Sequence, residues 1–351
     1  MIRPQDRARG WALVHQEHLE VGWLTPRRPA AGGFVPRLLK FASAPKSPRT
    51  PDSTRCVPDV WVRVLGSAAG GGFPQWNCSC PNCSGVRAGT VPARTRSQAS
   101  VAVSTDRHDW VLVNATPDIG TQLARLADPG AGIRRNPIVA VLLTDAELDH
   151  VTGLLSLREG SDLVVYATGW ILRAAAPILD ILSAYVQVDR RELRPGVDTP
   201  LAGMSVRTIA TGSAKRPRYA AGRLEPDPTA VVGYRFAADA VVAYMPCLPE
   251  LTDELAAELK VADCAFLDGT CWTDDELAAV GLSKKTSRSM GHAPVSGPGG
   301  TLERFAALPV RRRVYTHLNN TNPLLVEDSP ARRQVTAAGI EVAHDGMEIQ
   351  L

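Results

Sequence analysis

No stretch of the 351-residue chain approaches the roughly 18–20 consecutive apolar residues needed to cross a bilayer, although 44% of its residues are hydrophobic. The N-terminal stretch has no apolar h-region behind its positive charges, so no secretory signal is read. A cytoplasmic location without stable membrane insertion is the expectation. Cysteine is sparse: seven in a chain this long argue against a disulfide scaffold. Strong net charge is missing too, with 39 Lys/Arg against 36 Asp/Glu. The small basic excess is local, because residues 1–57 carry ten Lys/Arg against four Asp/Glu. The remainder is slightly acidic, and nothing in it asks for nucleic acid as a partner.

Two parts follow from this imbalance. Residues 1–57 contain "LTPRRPAAGG" and "SAPKSPRTPDSTR", which are rich in Pro, Arg and Ser and show neither helical nor strand periodicity. They are expected to form a basic, disordered extension. From about residue 58 to 351 the rhythm is that of one folded domain. Strands are read in "DVWVRVLGS", on both sides of Asp106, before Thr144 and in "LVVYAT". A second series follows in "MSVRTIAT", "AVVGYRF", "AVVAYMP", "CAFLDGT" and "RRRVYTHL". Helices are read near Asp118, at Asp149-His150, from Trp170, in "PELTDELAAELK", in "GPGGTLERFAAL" and near 328–338. Two runs of strands with interleaved helices predict an α/β fold with two mixed sheets face to face and helices outside, an αββα sandwich.

Three of the cysteines crowd into "NCSCPNC". Cys78, Cys80 and Cys83 stand in C-x-C-x-x-C spacing, which converges on one ion only where the backbone turns tightly, and Pro81-Asn82 supplies turn chemistry. Soft thiolates in tetrahedral geometry favour a structural Zn²⁺. The fourth ligand is open among Cys56, Asn320 and a distant histidine. The preceding "GSAAGGGFPQW" lacks the Lys-Ser/Thr of a phosphate loop and is expected to line the site.

The other chemistry-bearing string is "LTDAELDHVTG" at 143–153, directly after an apolar run. Many two-metal hydrolases carry H-x-H-x-D-H at such a strand end. Here the first two histidine slots hold Asp145 and Glu147, and only Asp149-His150 keep the pattern. Of the seven histidines, His15 and His18 fall in the extension, His108 in a polar turn, and His344 reads as structural. His150, His292 and His317 fall at element ends, where sites gather.

Together, "GSAAGGGFPQWNCSCPNC", "LTDAELDHVTGLLSLREG", "FLDGTCW", "MGH…SGPGG", "HLNNTNP" and "DGMEI" closely resemble the coenzyme PQQ biosynthesis protein B family, of metallo-β-lactamase-like fold, from about Val60 to Leu351. The knuckle and the ending also look like the phosphodiesterases of phosphonate breakdown. The resemblance implies that the first-metal slots are Asp145, Glu147 and Ser213, and that the bridging carboxylate is lost near Pro246-Cys247. One site survives, with Asp149, His150 and His317 as ligands. Two imidazoles and one carboxylate with open positions are similar to the facial triad of non-haem Fe(II) oxygenases, whereas a two-zinc hydrolase needs its second ion to clamp attacking and leaving oxygens.

The family is similar to iron-dependent hydroxylases that act, with O₂, on the tyrosine ring of a linked Glu–Tyr diamino acid, a precursor of pyrroloquinoline quinone (PQQ). Under that reading Fe(II) sits at Asp149/His150/His317 and Zn²⁺ at the knuckle. Asp268 supports the site or contacts substrate, and His292 transfers protons. Asp145 and Glu147 bind the substrate's amino group or orient water, or else merely favour a helix N-terminal turn. Asn319 and Asn322 brace the His317 loop. Two other readings stand beside it: a carrier that helps PQQ or its precursor across the membrane to the periplasm, and a metal-dependent phosphodiester hydrolase. A homodimer is left open.

Overall fold

The computed structural model describes residues 60–126 and 135–351; the extension read over 1–57 lies outside them. One sheet contains β1 (Trp61–Gly66), β2 (Ser100–Ser104), β3 (Trp110–Val113), β4 (Ile138–Leu142), β5 (Leu163–Ala167), β6 (Val188–Glu192) and the last strand, β14 (Glu348–Gln350), in the order β14-β1-β2-β3-β4-β5-β6. The other contains β7 (Asp198–Leu201), β8 (Met204–Ala210), β9 (Val232–Ala237), β10 (Val241–Met245), β11 (Cys264–Asp268), β12 (Arg312–Thr316) and β13 (Glu341–Val342), in the order β13-β12-β11-β10-β9-β8-β7. Both sheets are mixed. The first is antiparallel from β14 to β3 and parallel from β3 to β6. The second is antiparallel from β7 to β10 and parallel from β10 to β13.

The helices are α1 (Pro81–Arg87), α2 (Ile119–Ala124), α3 (Leu148–Val151), α4 (Gly169–Ser183), α5 (Asp253–Lys260), α6 (Glu276–Ala279), α7 (Leu302–Ala306) and α8 (Pro330–Ala337). Strand periodicity sorts the layers. Val206, Tyr234, Phe236, Val242, Tyr244 and Phe266 pack toward the first sheet in one core. Their neighbours Ala243, Met245, Ala265, Leu267 and Tyr315 pack in a second core with Leu255 and Leu259 of α5, Phe305 of α7 and Val335 of α8. Central β11 is buried at every position, as a parallel strand covered on both faces must be.

Helix α4 shows how sequence sets an outer layer. The Thr168 side chain accepts from the Ile171 N–H and caps its start. Trp170, Ile171, Ala174, Ala175, Ile178, Leu179 and Leu182 form its buried stripe. Each large apolar side chain so buried contributes roughly 1.5–3 kcal/mol.

Three local readings differ from expectation. Pro81 does not turn a loop: it opens α1, and the Cys80 sulfur caps that helix by accepting from the Cys83 N–H. The helix at Asp149-His150 is a single turn, continued as 3₁₀ from Thr152 to Glu159. Strands β6 and β7 had no counterpart in the sequence reading. With β4, β8, β10, β11 and β12 in place, the loops at their carboxyl ends converge on one face.

Candidate metal centre

The loop after β4 is clamped before it reaches its functional residues. Asn114, in the left-handed region at φ 63°, accepts from the Thr144 N–H at 2.9 Å and donates to its hydroxyl at 2.9 Å. The Tyr234 hydroxyl donates to the Leu143 carbonyl at 2.6 Å, and the Val232 N–H to the Thr144 carbonyl at 2.8 Å. Two glycines are fixed by close approach. A Cβ on Gly153 would lie 2.0 Å from the Thr116 carbonyl oxygen, and one on Gly70 would lie 2.9 Å from Asp149 Oδ2. The Gly-rich loop after β1 therefore does line the site, by backing the Asp149 carboxylate.

Three buried histidines then present the same edge. His150 Nδ1 lies 2.8 Å and 2.9 Å from the two Asp145 oxygens. Its Nδ1 proton goes there, and Nε2 is left facing inward, buried and without a hydrogen-bond partner. His292 Nδ1 donates to Asp268 Oδ2 at 2.7 Å. The Thr270 hydroxyl donates to Asp268 Oδ1 at 2.6 Å, so its oxygen accepts from His317 Nδ1 at 2.8 Å. His317 itself sits at φ 59°, a conformation costly for a non-glycine residue and held by its surroundings. Burial opposes charge on Asp145, but the His150 charge beside it holds its carboxyl well below the usual range. In return Asp145 and Asp149 lift His150 to about 9 against the same burial, so without an ion its Nε2 holds a proton that metal binding would displace. Burial, with the His292 and His150 charges, pulls His317 down to about 3, so it stays a neutral donor.

The bare donor atoms meet. Asp149 Oδ2 lies 3.8 Å from His150 Nε2 and 4.0 Å from His317 Nε2. The ligand atoms of His150, Cys247 and His317 lie within 4.8 Å of one another. Those of Asp268, His292 and His317 do so as well, but Asp268 also accepts the Leu248 and Thr270 amide N–H groups at 3.0 Å each, so its carboxylate is spent on positioning. The orphaned His150 Nε2 and the neutral His317 are what a metal ion would complete. Among the described residues a second ion has no such set: Asp145 is folded back onto His150 and a Glu147 amide, and Ser213 offers only a hydroxyl. Asp145, expected to contact substrate, orient water or favour a helix N-terminal turn, lines the cavity while its carboxylate accepts from His150 Nδ1 and the Glu147 amide. Glu147 stands at the pocket mouth, with Oε1 3.4 Å from Lys215 Nζ.

The mouth opens into a cavity of about 650 Å³, whose rim includes Lys215, Arg216, Arg218, Tyr219 and Lys285. Thr270 and these cations were not among the residues singled out from sequence. Cys247 carried one signal, since it stands where the bridging carboxylate is missing.

The cysteine knuckle is a second, separate cluster. The sulfurs of Cys78, Cys80 and Cys83 lie within 4.8 Å of one another. N–H groups of Gln75, Cys80 and Cys83 point at them at 3.4–3.5 Å, as suits thiolates bound to zinc. The fourth side is closed by Asn320, whose amide nitrogen is 3.0, 3.6 and 3.4 Å from the three sulfurs. Cys56 lies outside the described residues. One loop thus serves both clusters, with His317 at its start and Asn320 three residues on. Asn322 ties it to the end of β11 by donating to Gly269 and Thr270 carbonyls at 2.7 and 3.1 Å, and Asn319 donates to Thr321. His108 is exposed in the β2–β3 turn and His344 sits against the Asp345 carbonyl; neither approaches the centre.

Sheets stacked in this way, with ligands on the strand-end loops, define a protein of the metallo-β-lactamase fold, and residues 109–318 match the Beta-lactamase superfamily domain. Coenzyme PQQ synthesis protein B of Cupriavidus necator is 47% identical over 304 residues, covering 83% of this chain and 99% of that relative. The same protein of Pseudomonas savastanoi pv. phaseolicola is 40% identical over 303 residues, with 83% and 100% covered. The crystal structure of Zn²⁺-bound PqqB from Methylobacterium extorquens superposes with a TM-score of 0.77 at 40% identity, over 83% of this chain and 100% of that one. The chain belongs to the coenzyme PQQ synthesis protein B family. A diphosphatase of the PhnP family, at 22% identity and a TM-score of 0.58, shares the fold.

Proposed function

We propose that this protein acts in PQQ biosynthesis as a metal-dependent hydroxylase, adding oxygen to the tyrosine ring of a precursor in which Glu and Tyr are covalently linked. The observation that carries the reading is the donor count: one ion's worth of ligands in Asp149, His150 and His317, and among the described residues no second set for a hydrolytic pair. The active-site ion is Fe(II), and the knuckle ion is a structural Zn²⁺. When bound, an Fe(II) with vacant positions supplies O₂ activation.

The chain's own groups do the rest. Asp145 and Thr270 hold His150 and His317 in the tautomers that expose Nε2. Asp268 holds His292 with its Nδ1–H engaged, leaving Nε2 to take or return a proton at the substrate. The rim cations Lys215, Arg218 and Lys285 suit the three carboxylates of a linked Glu–Tyr substrate, and Glu147 suits an amino group. The same cations would hold a PQQ carboxylate without chemistry, which keeps carriage of PQQ or its precursor as the second reading.

The test is anaerobic Fe(II) reconstitution followed by O₂ uptake on a Glu–Tyr diamino acid. Product formation with stoichiometric O₂ uptake is expected. Tight binding of PQQ with no turnover would overturn the hydroxylase in favour of a carrier. Turnover of a cyclic phosphodiester with Zn²⁺ or Mn²⁺ would instead make it a hydrolase.

A further inference from the structure

We propose that Cys247 is a fourth protein ligand of the ion held by Asp149, His150 and His317, so that the centre is built from two imidazoles, a carboxylate and a thiolate. This rests on the reading that those three residues share one ion.

The thiol is at the carboxyl end of β10, a strand flanked by β9 and β11, and the next amide fixes its direction: the Leu248 N–H donates to Asp268 Oδ2 at 3.0 Å. Cys247 Sγ lies 3.9 Å from His317 Nε2. Bond lengths of about 2.3 Å to sulfur and about 2.0 Å to nitrogen, at a tetrahedral angle, put two such ligand atoms about 3.6 Å apart. The corresponding oxygen–nitrogen separation is about 3.4 Å, against 3.8 and 4.0 Å for Asp149 with the two imidazoles. These three separations exceed the bonded ones by a few tenths of an ångström, and His150, Cys247 and His317 close within 4.8 Å of one another.

A second observation points at the same spot from another element. His150 Nε2 is fully buried, has no hydrogen-bond partner, and belongs to the same cluster as Cys247 and His317. A buried polar atom left bare costs about 1–3 kcal/mol, and an ion at this point, displacing any proton there, removes that cost.

Proton balance follows from the environment. With its Nδ1–H given to Thr270, His317 turns an acceptor Nε2 toward Cys247 Sγ at 3.9 Å, so the free thiol donates toward it. Coordination forms the metal–sulfur bond and breaks S–H, and the proton leaves through the open mouth to solvent. Four protein donors at tetrahedral spacing would fill a four-coordinate shell, so a reactant would reach the ion by expanding that shell or displacing one donor. The soft thiolate also moves the site's preference from the hard ions toward iron and zinc.

Cobalt(II) is the probe. Full-length wild type and Cys247→Ser are loaded with Co²⁺, and their spectra are subtracted so that the knuckle's own thiolate bands cancel. Loss of about one quarter of the near-ultraviolet thiolate-to-cobalt intensity is expected, with at least a tenfold weaker second cobalt site. His317→Ala should lose the same increment together with the second cobalt. Unchanged thiolate intensity in Cys247→Ser, with the second cobalt still bound and still lost in His317→Ala, would overturn the proposal while leaving the three-ligand ion intact. Two cobalts in His317→Ala would overturn the underlying ligand set as well. Cys247→Ala, which places no hydroxyl in the buried site, is read in the same way should the serine variant fail to fold.

Discussion

At the scale of single residues, the sequence shows chemistry more readily than direction. Asp149, His150 and His317 were legible because they keep the spacing and strand-end placement of a known ligand pattern. Asp145 was legible as an acid in a histidine's slot, but a string of letters does not say that its carboxylate folds back five residues to His150 Nδ1. That contact predicts the behaviour of Asp145→Asn. An amide can offer its N–H₂ to Nδ1, which then gives up its proton and moves it to Nε2, the edge that faces the ion. Active-site metal affinity should fall roughly 10–100-fold while the knuckle metal and the fold remain, as read by metal content per chain after dialysis. Unaltered loading would show that Asp145 does not set the tautomer. Gly70→Ala tests the opposite wall. The added methyl would start 2.9 Å from Asp149 Oδ2, so the carboxylate must shift. The variant should lose active-site metal with little change in melting temperature.

At the scale of elements, the loop from His317 to Asn322 is the structural link that local sequence could not supply. Its partners come from the cysteine knuckle that leads into α1, the loop after β11 and α6, up to 242 residues away in the case of Cys78. Glu276, at the start of α6, is buried beneath it, hydrogen-bonded to the Thr321 hydroxyl and the Trp272 N–H. Burial outweighs those two hydrogen bonds and raises its carboxyl from 4.5 to about 7. The folded state therefore keeps a proton that the unfolded chain releases near 4.5. The resulting stabilisation is complete below that pH, shrinks as pH rises toward 7, and is absent above it. It amounts to about 1–3 kcal/mol at the acid end. Glu276→Gln cannot titrate. Its stability relative to wild type should rise by that amount between pH 4.5 and 7 and then level off, measured by denaturant unfolding at a series of pH values. A flat difference would show that Glu276 is ionised throughout.

At the scale of the whole molecule, the two-sheet sandwich was readable from the interior strands and not from its edges. Strands such as β11 are continuous apolar runs because both faces are covered. Edge strands β6 ("VDRRE") and β7 ("DTPL") bury little, so neither apolar content nor alternation marks them. Convergence of β10, β11 and β12 was equally invisible, which is why Thr270 emerged only with the fold. The domain's boundary has a physical basis of its own. Its first strand pairs antiparallel with its last, Val62 opposite Ile349, and the Leu351 N–H donates to the Val60 carbonyl at 3.0 Å. The sheet edge is thus closed by the residues next to both ends of the domain, and 83% of the chain already spans 99–100% of its relatives. Removing residues 1–57 takes away ten Lys/Arg and four Asp/Glu but none of these pairings. The shortened protein should therefore fold and bind metal at both clusters with the wild-type stoichiometry, measured by circular dichroism and metal analysis. An insoluble product, or loss of either metal, would mean that the basic extension is part of the folded unit after all.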